Sequence, residues 1–186
     1  VKVGALQISL FVAAGLLHPA ALLCGTLSNG ETYSISFVDI DGNNLSTSDG
    51  HVTIVVLATT GDREKARAVG DHVPDYCLGN PNYRLITVVH FTGRHTAIGR
   101  RIAMTFIRLR VREEAERLQA RYDSQQLSRD AKGDIFVVTD FGGTIASQLG
   151  GANFFVFVFG PTGKLLAQWP EVPSTAQLAT VLKEPD

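Results

Sequence analysis

The stretch VTIVVLATTGDREKARAVG, residues 52–70, changes character at its middle. Its first half is β-branched and nearly continuously apolar from Val52 to Ala58. A strand with one wet face would alternate, so this pattern predicts a central strand covered on both faces. The second half opens on Thr60 and Gly61, either of which can cap a helix. Asp62 and Glu64 then fall in the first turn, where carboxylates complement the positive end of the helix dipole. Pro74 limits that helix to about Val73, because it offers no N–H and restricts the residue before it.

Working outward, the same alternation of types continues. Tyr33–Val38 reads as a short alternating strand, followed by a turn signal at Asp41-Gly42 and a polar segment anchored by Leu45. Tyr83–Phe91 and Asp134–Thr139 are further buried-type strands, and Asn153–Phe159 is an aromatic one. Gly160-Pro-Thr-Gly163 is a tight turn that returns Lys164–Trp169 as a hairpin partner. Ser174-Thr-Ala-Gln177 is a capping box that opens a C-terminal helix. Strands alternating with helices predict an α/β domain of three layers. A chain of 186 residues, 45% apolar and 19% charged, suits one such domain, placed here at residues 31–186. The formal net charge of −1 excludes whole-molecule electrostatic binding of nucleic acid.

Residues 1–30 are a different kind of sequence. Lys2 is the only charge before Glu31, and VGALQISLFVAAGLLHPAALLCG lies between them. A short basic start before an apolar run reads as a signal peptide, and the run is also about long enough for an N-terminal membrane anchor. A core helix is the third reading. Leu22-Leu23-Cys24-Gly25 is a poor lipobox, because Leu23 is large for the position before the cysteine. If the leader is removed beyond Cys24, Cys77 is the only thiol left, and one thiol cannot close an internal disulfide.

Four phrases in order resemble the thioredoxin-like redoxins, including the thiol-specific antioxidant (alkyl hydroperoxide reductase) branch and the membrane-tethered thiol–disulfide oxidoreductases. They are Phe37-Val-Asp-Ile-Asp-Gly42, Val55-Val-Leu-Ala-Thr59, Thr139-Asp-Phe-Gly-Gly-Thr-Ile-Ala-Ser-Gln-Leu-Gly150 and Phe157-Val-Phe-Gly-Pro-Thr-Gly-Lys-Leu165–166. The resemblance covers roughly residues 33–183. It implies a three-layer α/β/α sandwich with a mixed central sheet, here with a long inserted helix. It also implies a Trp-Cys-x-x-Cys after the strand that ends at Thr59. In this chain Thr60 stands at the tryptophan, Gly61 at the first cysteine and Glu64 at the second. The family's cis-proline falls near Asn153 or Phe154, and neither is proline. The thiolate on which that chemistry depends is therefore missing, and Asp62 and Glu64 would repel one.

Other candidates are weaker. Cys77 could be a displaced redox thiol or a small apolar residue at a helix-to-loop junction. His90 and His95 are two histidines near a strand end, short of the three or four ligands that a metal site needs. Asp140, Gly142 and Gly143 form a turn without a phosphate-loop or calcium pattern. No cofactor is implied.

The insertion, about residues 94–129, is the most unusual segment. Arg94, Arg100, Arg101, Arg108, Arg110 and Arg112 precede any acid, and then Glu113, Glu114 and Glu116 interleave with Arg117 and Arg121. Ile98–Leu127 has strong helix composition. Ile98, Ile102, Phe106 and Leu109 share one face; Met104, Ile107, Val111, Ala115, Leu118 and Tyr122 share nearly the opposite one. Either the helix breaks near residue 110 or both sides are covered. In the second case the first set is expected to cover the sheet. The second, with Val111, Leu118 and Tyr122 beside Arg101, Arg108 and Arg112, is expected to meet a protein partner or a twin subunit. A wide core stripe on a solvated helix and contact with anionic lipid are further readings. The sequence thus favours an exported, periplasmic or membrane-anchored, non-catalytic protein-binding or assembly module, with membrane association possible through residues 1–30. A divergent peroxidase or oxidoreductase using Cys77 is the alternative.

Overall fold

The structure, a computed structural model, describes residues 27–93 and 95–183. The expectations for the leader and for lipidation at Cys24 lie outside the described residues. In chain order the elements are β1 (Ser36–Val38), β2 (Asn44–Ser46), β3 (Val52–Thr59), α1 (Arg63–His72), β4 (Tyr83–His90), α2 (Ala97–Ser124), β5 (Phe136–Asp140), α3 (Thr144–Gln148), β6 (Phe155–Phe159), β7 (Leu165–Trp169) and α4 (Thr175–Leu182).

The main sheet has the order β5-β4-β3-β6-β7. β3, β4 and β5 run parallel, β6 is antiparallel to β3, and β7 is antiparallel to β6. β3 is therefore central, as its unbroken apolar run requires. Val55 and Leu57 enter one core with Phe37, Ile86, Phe157 and Phe159. Ile54, Val56 and Ala58 enter the other with Val69, Leu178 and Leu182. So α1 and α4 cover one face, while α3 and the β1–β2 pair cover the second. The expected three layers and mixed sheet are present.

Two local expectations are corrected. Neither Thr60 nor Gly61 caps α1; Asp62 occupies that position and its side chain turns back to Thr59 instead. The third strand starts at Phe136 rather than Asp134, because Ala131–Asp134 is a 3₁₀ turn whose Asp134 is held by Tyr122 and Arg129. The capping box at Ser174 and Gln177 is formed in both directions.

The segment from Leu27 to Tyr33 lies beside β7, antiparallel to it. Its backbone bonds are Gly30 N–H to Leu165 O (2.7 Å), Leu165 N–H to Glu31 O (2.8 Å) and Tyr33 N–H to Gly163 O (2.8 Å). Gln168 Nε2 donates to Leu27 O at 2.7 Å. Because β7 points the same way as β3, Leu27 sits at the edge where the parallel strands end.

Helix α2 is unbroken for 28 residues, about 42 Å at 1.5 Å per residue. It links β4 to β5 as a parallel crossover and lies beside α1, where Arg117 meets Asp71 at 3.4 Å. The expectation of a break near residue 110 is not met. The two apolar sets also exchange roles: Ile98, Ile102, Phe106 and Leu109 are 71, 54, 60 and 49% exposed, whereas Tyr122 is 1% exposed.

Candidate functional site

The register of the parallel strands aligns Thr59, His90 and Asp140 in one row at their carboxyl ends. In open α/β sheets this edge is where ligands and chemistry usually collect. Thr59 is also the last residue before α1. Its Oγ1 donates to Asp62 Oδ2 at 2.6 Å, and its N–H donates to the same oxygen at 3.1 Å. Gly61 N–H donates to Thr59 Oγ1 at 3.3 Å. These hydrogen bonds from Thr59, the side-chain one foremost, together with Lys65 at 3.8 Å, hold the Asp62 carboxyl below its usual range. The head of α1 is thus already supplied with a charge-stabilised anion of its own.

Across from it, Asn153 is exposed and Phe154 is buried, with Lys65 Nζ 5.2 Å from the Phe154 ring centre. Next along the edge, His90 Nδ1 lies 3.4 Å from Asp140 Oδ2, and both residues are buried. Asp140 Oδ2 accepts the Ala146 N–H at 2.9 Å, which fixes it to α3. Phe91 stacks on Phe141 at 4.4 Å, and His95 meets both rings edge-on. Among the described residues no three His, Cys, Asp or Glu side chains gather as a metal site.

No family model and no curated protein sequence matches the chain. Solved structures do. The exposed lipoprotein thioredoxin of Streptococcus pneumoniae is similar at a TM-score of 0.53 and 14% identity, over 81% of this chain and 98% of that one. The thioredoxin domain of a thiol–disulfide oxidoreductase from Bacteroides vulgatus is similar at 0.50 and 13% identity, over 87% and 100%. A thioredoxin-family thiol:disulfide interchange protein of Chlorobium tepidum gives 0.50 and 14%, over 87% and 99%. The chain has a thioredoxin-like fold.

In this thioredoxin-like domain Thr60, Gly61 and Glu64 stand at the head of α1, where the resemblance puts tryptophan and two cysteines. Thr60, Gly61 and Glu64 are all exposed. Cys77 is elsewhere. It ends the 3₁₀ turn Asp75–Cys77, which follows the C-terminal end of α1, a helix of 10 residues and so about 15 Å long. Cys77 is 6% exposed, and burial pushes its thiol up to about 12. It lines a cleft of about 270 Å³ between α1, α2 and the sheet, with Val73, Leu85, Leu118 and Tyr122. A thiol buried among these side chains stays protonated at neutral pH.

Of the residues expected to meet a partner, Arg101, Arg108 and Arg112 are exposed on α2. Val111 and Leu118 are half-buried, and Tyr122 is fully enclosed. Tyr122 Oη donates to Asp134 Oδ2 at 2.7 Å and accepts the Gly79 N–H at 3.1 Å. Burial, then the Asp134 carboxylate, pushes its hydroxyl up to about 12. Tyr122, expected on the partner-facing side, is therefore enclosed by its own domain, and Leu118 beside it is half-buried. Arg121 explains why. Its guanidinium donates to the Gly70 and Val73 carbonyls and to Asp75, so it satisfies the end of α1 and clamps the C-terminal half of α2 beside it. Sequence spacing showed two faces but not which one these hydrogen bonds select. The Thr59–His90–Asp140 row was likewise invisible, since strand register is a long-range property.

Proposed function

We propose that this is an exported thioredoxin-fold module that has given up thiol chemistry and acts by binding or assembly. The observation that carries the reading is the pairing of two facts: Gly61 offers no nucleophile at the head of α1, and Cys77 is buried at the other end. Disulfide exchange and peroxide reduction both begin with an accessible thiolate. Export is supported by Lys2 and the apolar run after it, and by likeness in fold to an exposed lipoprotein. The contact surface in this reading is the outward face of α2, where large apolar side chains remain open to water between arginines.

The test is a thiol titration of the native full chain carrying Cys24→Ser, with peroxide and protein-disulfide turnover measured beside it. Cys77 is expected to stay silent until the protein is unfolded, and turnover to equal that of Cys77→Ser. Turnover that disappears in Cys77→Ser would establish the enzyme reading instead.

A further inference from the structure

We propose that the outward face of the N-terminal half of α2 seats the domain on an anionic lipid surface. The inference rests on reading that face as the contact surface of a redox-silent module, and it names what the surface contacts.

Residues 97–112 carry Arg100, Arg101, Arg108, Arg110 and Arg112 and no acid. At 100° per residue, Arg101, Arg108 and Arg112 line one flank of the Ile98–Ile102–Phe106–Leu109 stripe and Arg110 lines the other. A stripe of Ile, Phe and Leu between rows of arginine is the pattern of a helix lying in the boundary between headgroups and acyl chains. Of the acids that follow, Glu116 is exposed and in line with Ile98, so it ends the apolar stripe two turns beyond Leu109. Glu113 is taken by Arg110 at 2.8 Å and Arg63 at 3.0 Å, and Glu114 by Arg117 at 3.2 Å.

This half of the helix also makes no hydrogen bond to another element among the described residues. Among the described residues, every hydrogen bond from α2 to another element comes from Glu113 or beyond. A second copy is the poorer occupant, because pairing two such stripes brings the arginines of one helix against those of the other. The helix α2 is not long and apolar enough to cross a membrane.

A separate observation points the same way. Leu27 lies at the edge where β3, β4 and β5 end, and α2 begins at that edge, with Arg100 over the Phe141 ring at 5.6 Å. The apolar sequence before Leu27 is therefore joined to the domain at the carboxyl end of the sheet where the basic stripe also starts, across the width of the sheet from it.

The experiment places a reporter in the stripe of the full chain as Phe106→Trp, with the single native Trp169 read as background from the parent protein. Vesicles are phosphatidylcholine alone, or with roughly 30 mol% phosphatidylglycerol, each with brominated acyl chains as quenchers. On anionic vesicles the new tryptophan is expected to shift blue and be quenched. Arg101→Glu/Arg108→Glu/Arg112→Glu should weaken that response about tenfold or more while the melting temperature holds. Leader-driven attachment, by contrast, would occur on both kinds of vesicle and leave position 106 wet. A tryptophan that stays open to iodide on anionic vesicles overturns the proposal. So does one already shielded without vesicles in a species of twice the mass, which would assign the face to a second copy. Neither result touches the thiol measurements on Cys77, so loss of the lipid contact and loss of the redox-silent reading are separately visible.

Discussion

At Gly61 the backbone has kept room for what the sequence lacks. A Cβ built there meets only Thr59 Oγ1, at 3.7 Å, which is ordinary contact. Nothing in the local packing forbids a side chain. The Gly61→Cys/Glu64→Cys double variant is therefore expected to fold. It should reduce insulin disulfides at least about tenfold above the wild-type background, with each single variant inactive, because exchange needs a resolving partner. Its first thiol would sit beside Asp62, whose charge opposes ionisation. Adding Asp62→Asn should raise the rate further, read by the same assay. A double variant that folds but stays inactive would show that more than the missing sulfur separates this site from the oxidoreductases. At this scale the sequence spoke plainly for presence and absence: a missing cysteine is visible without coordinates. It also set Cys77 just past the end of α1, but it was silent on burial, and only the fold enclosed that thiol.

Among the elements, α2 shows how a correct pattern can be assigned to the wrong surroundings. Its two apolar sets and its length were legible from 3.6-residue periodicity, which needs only local spacing. Which set faces inward depends on α1, whose C-terminal carbonyls recruit Arg121, and on the loops that recruit Tyr122. Those partners are about 40 to 50 residues away in sequence. The same geometry makes Tyr122 an anchor. Tyr122→Phe leaves the Gly79 N–H and the Asp134 carboxylate each short of a partner, and should cost about 1–3 kcal/mol in urea unfolding. Phe106→Ser, on the exposed stripe, should change stability by less than about 0.5 kcal/mol. If the two variants were equally destabilised, the assignment of faces would be wrong.

For the whole molecule, the sheet is tied to the β1–β2 layer by Arg84. Its guanidinium spans both Asp49 oxygens at 2.8 and 2.9 Å, the Ser46 carbonyl at 2.7 Å and Thr53 Oγ1 at 3.1 Å. Burial pushes Asp49 upward, but hydrogen bonds from Arg84 and His51 outweigh it and hold the carboxyl at about 2. A carboxylate whose pKa is lower in the folded state stabilises the protein above its unfolded value of 3.8. That contribution is lost as pH falls from about 4 toward 2. Because Asp49 is partly open to solvent, it should amount to about 1 kcal/mol. Asp49→Asn is expected to flatten the pH dependence of the urea midpoint over that interval and to leave the slope above pH 5 unchanged. The three-layer architecture was readable from β3 outward, because burial on both faces leaves a mark on every residue of a strand. The bridge from β4 to the β2 turn was not, because an arginine in an apolar strand does not announce its partner.

The short stretch from Leu27 to Tyr33 has a mechanical meaning. Its bonds to Gly163, Leu165 and Gln168 stand side by side along the edge of β7. A pull applied through the preceding chain would load them together in shear, so no single bond would peel first. The chain before Leu27 thus meets the domain at a clasp built to carry tension, and the sheet behind it would feel the strain only after that whole row had given way.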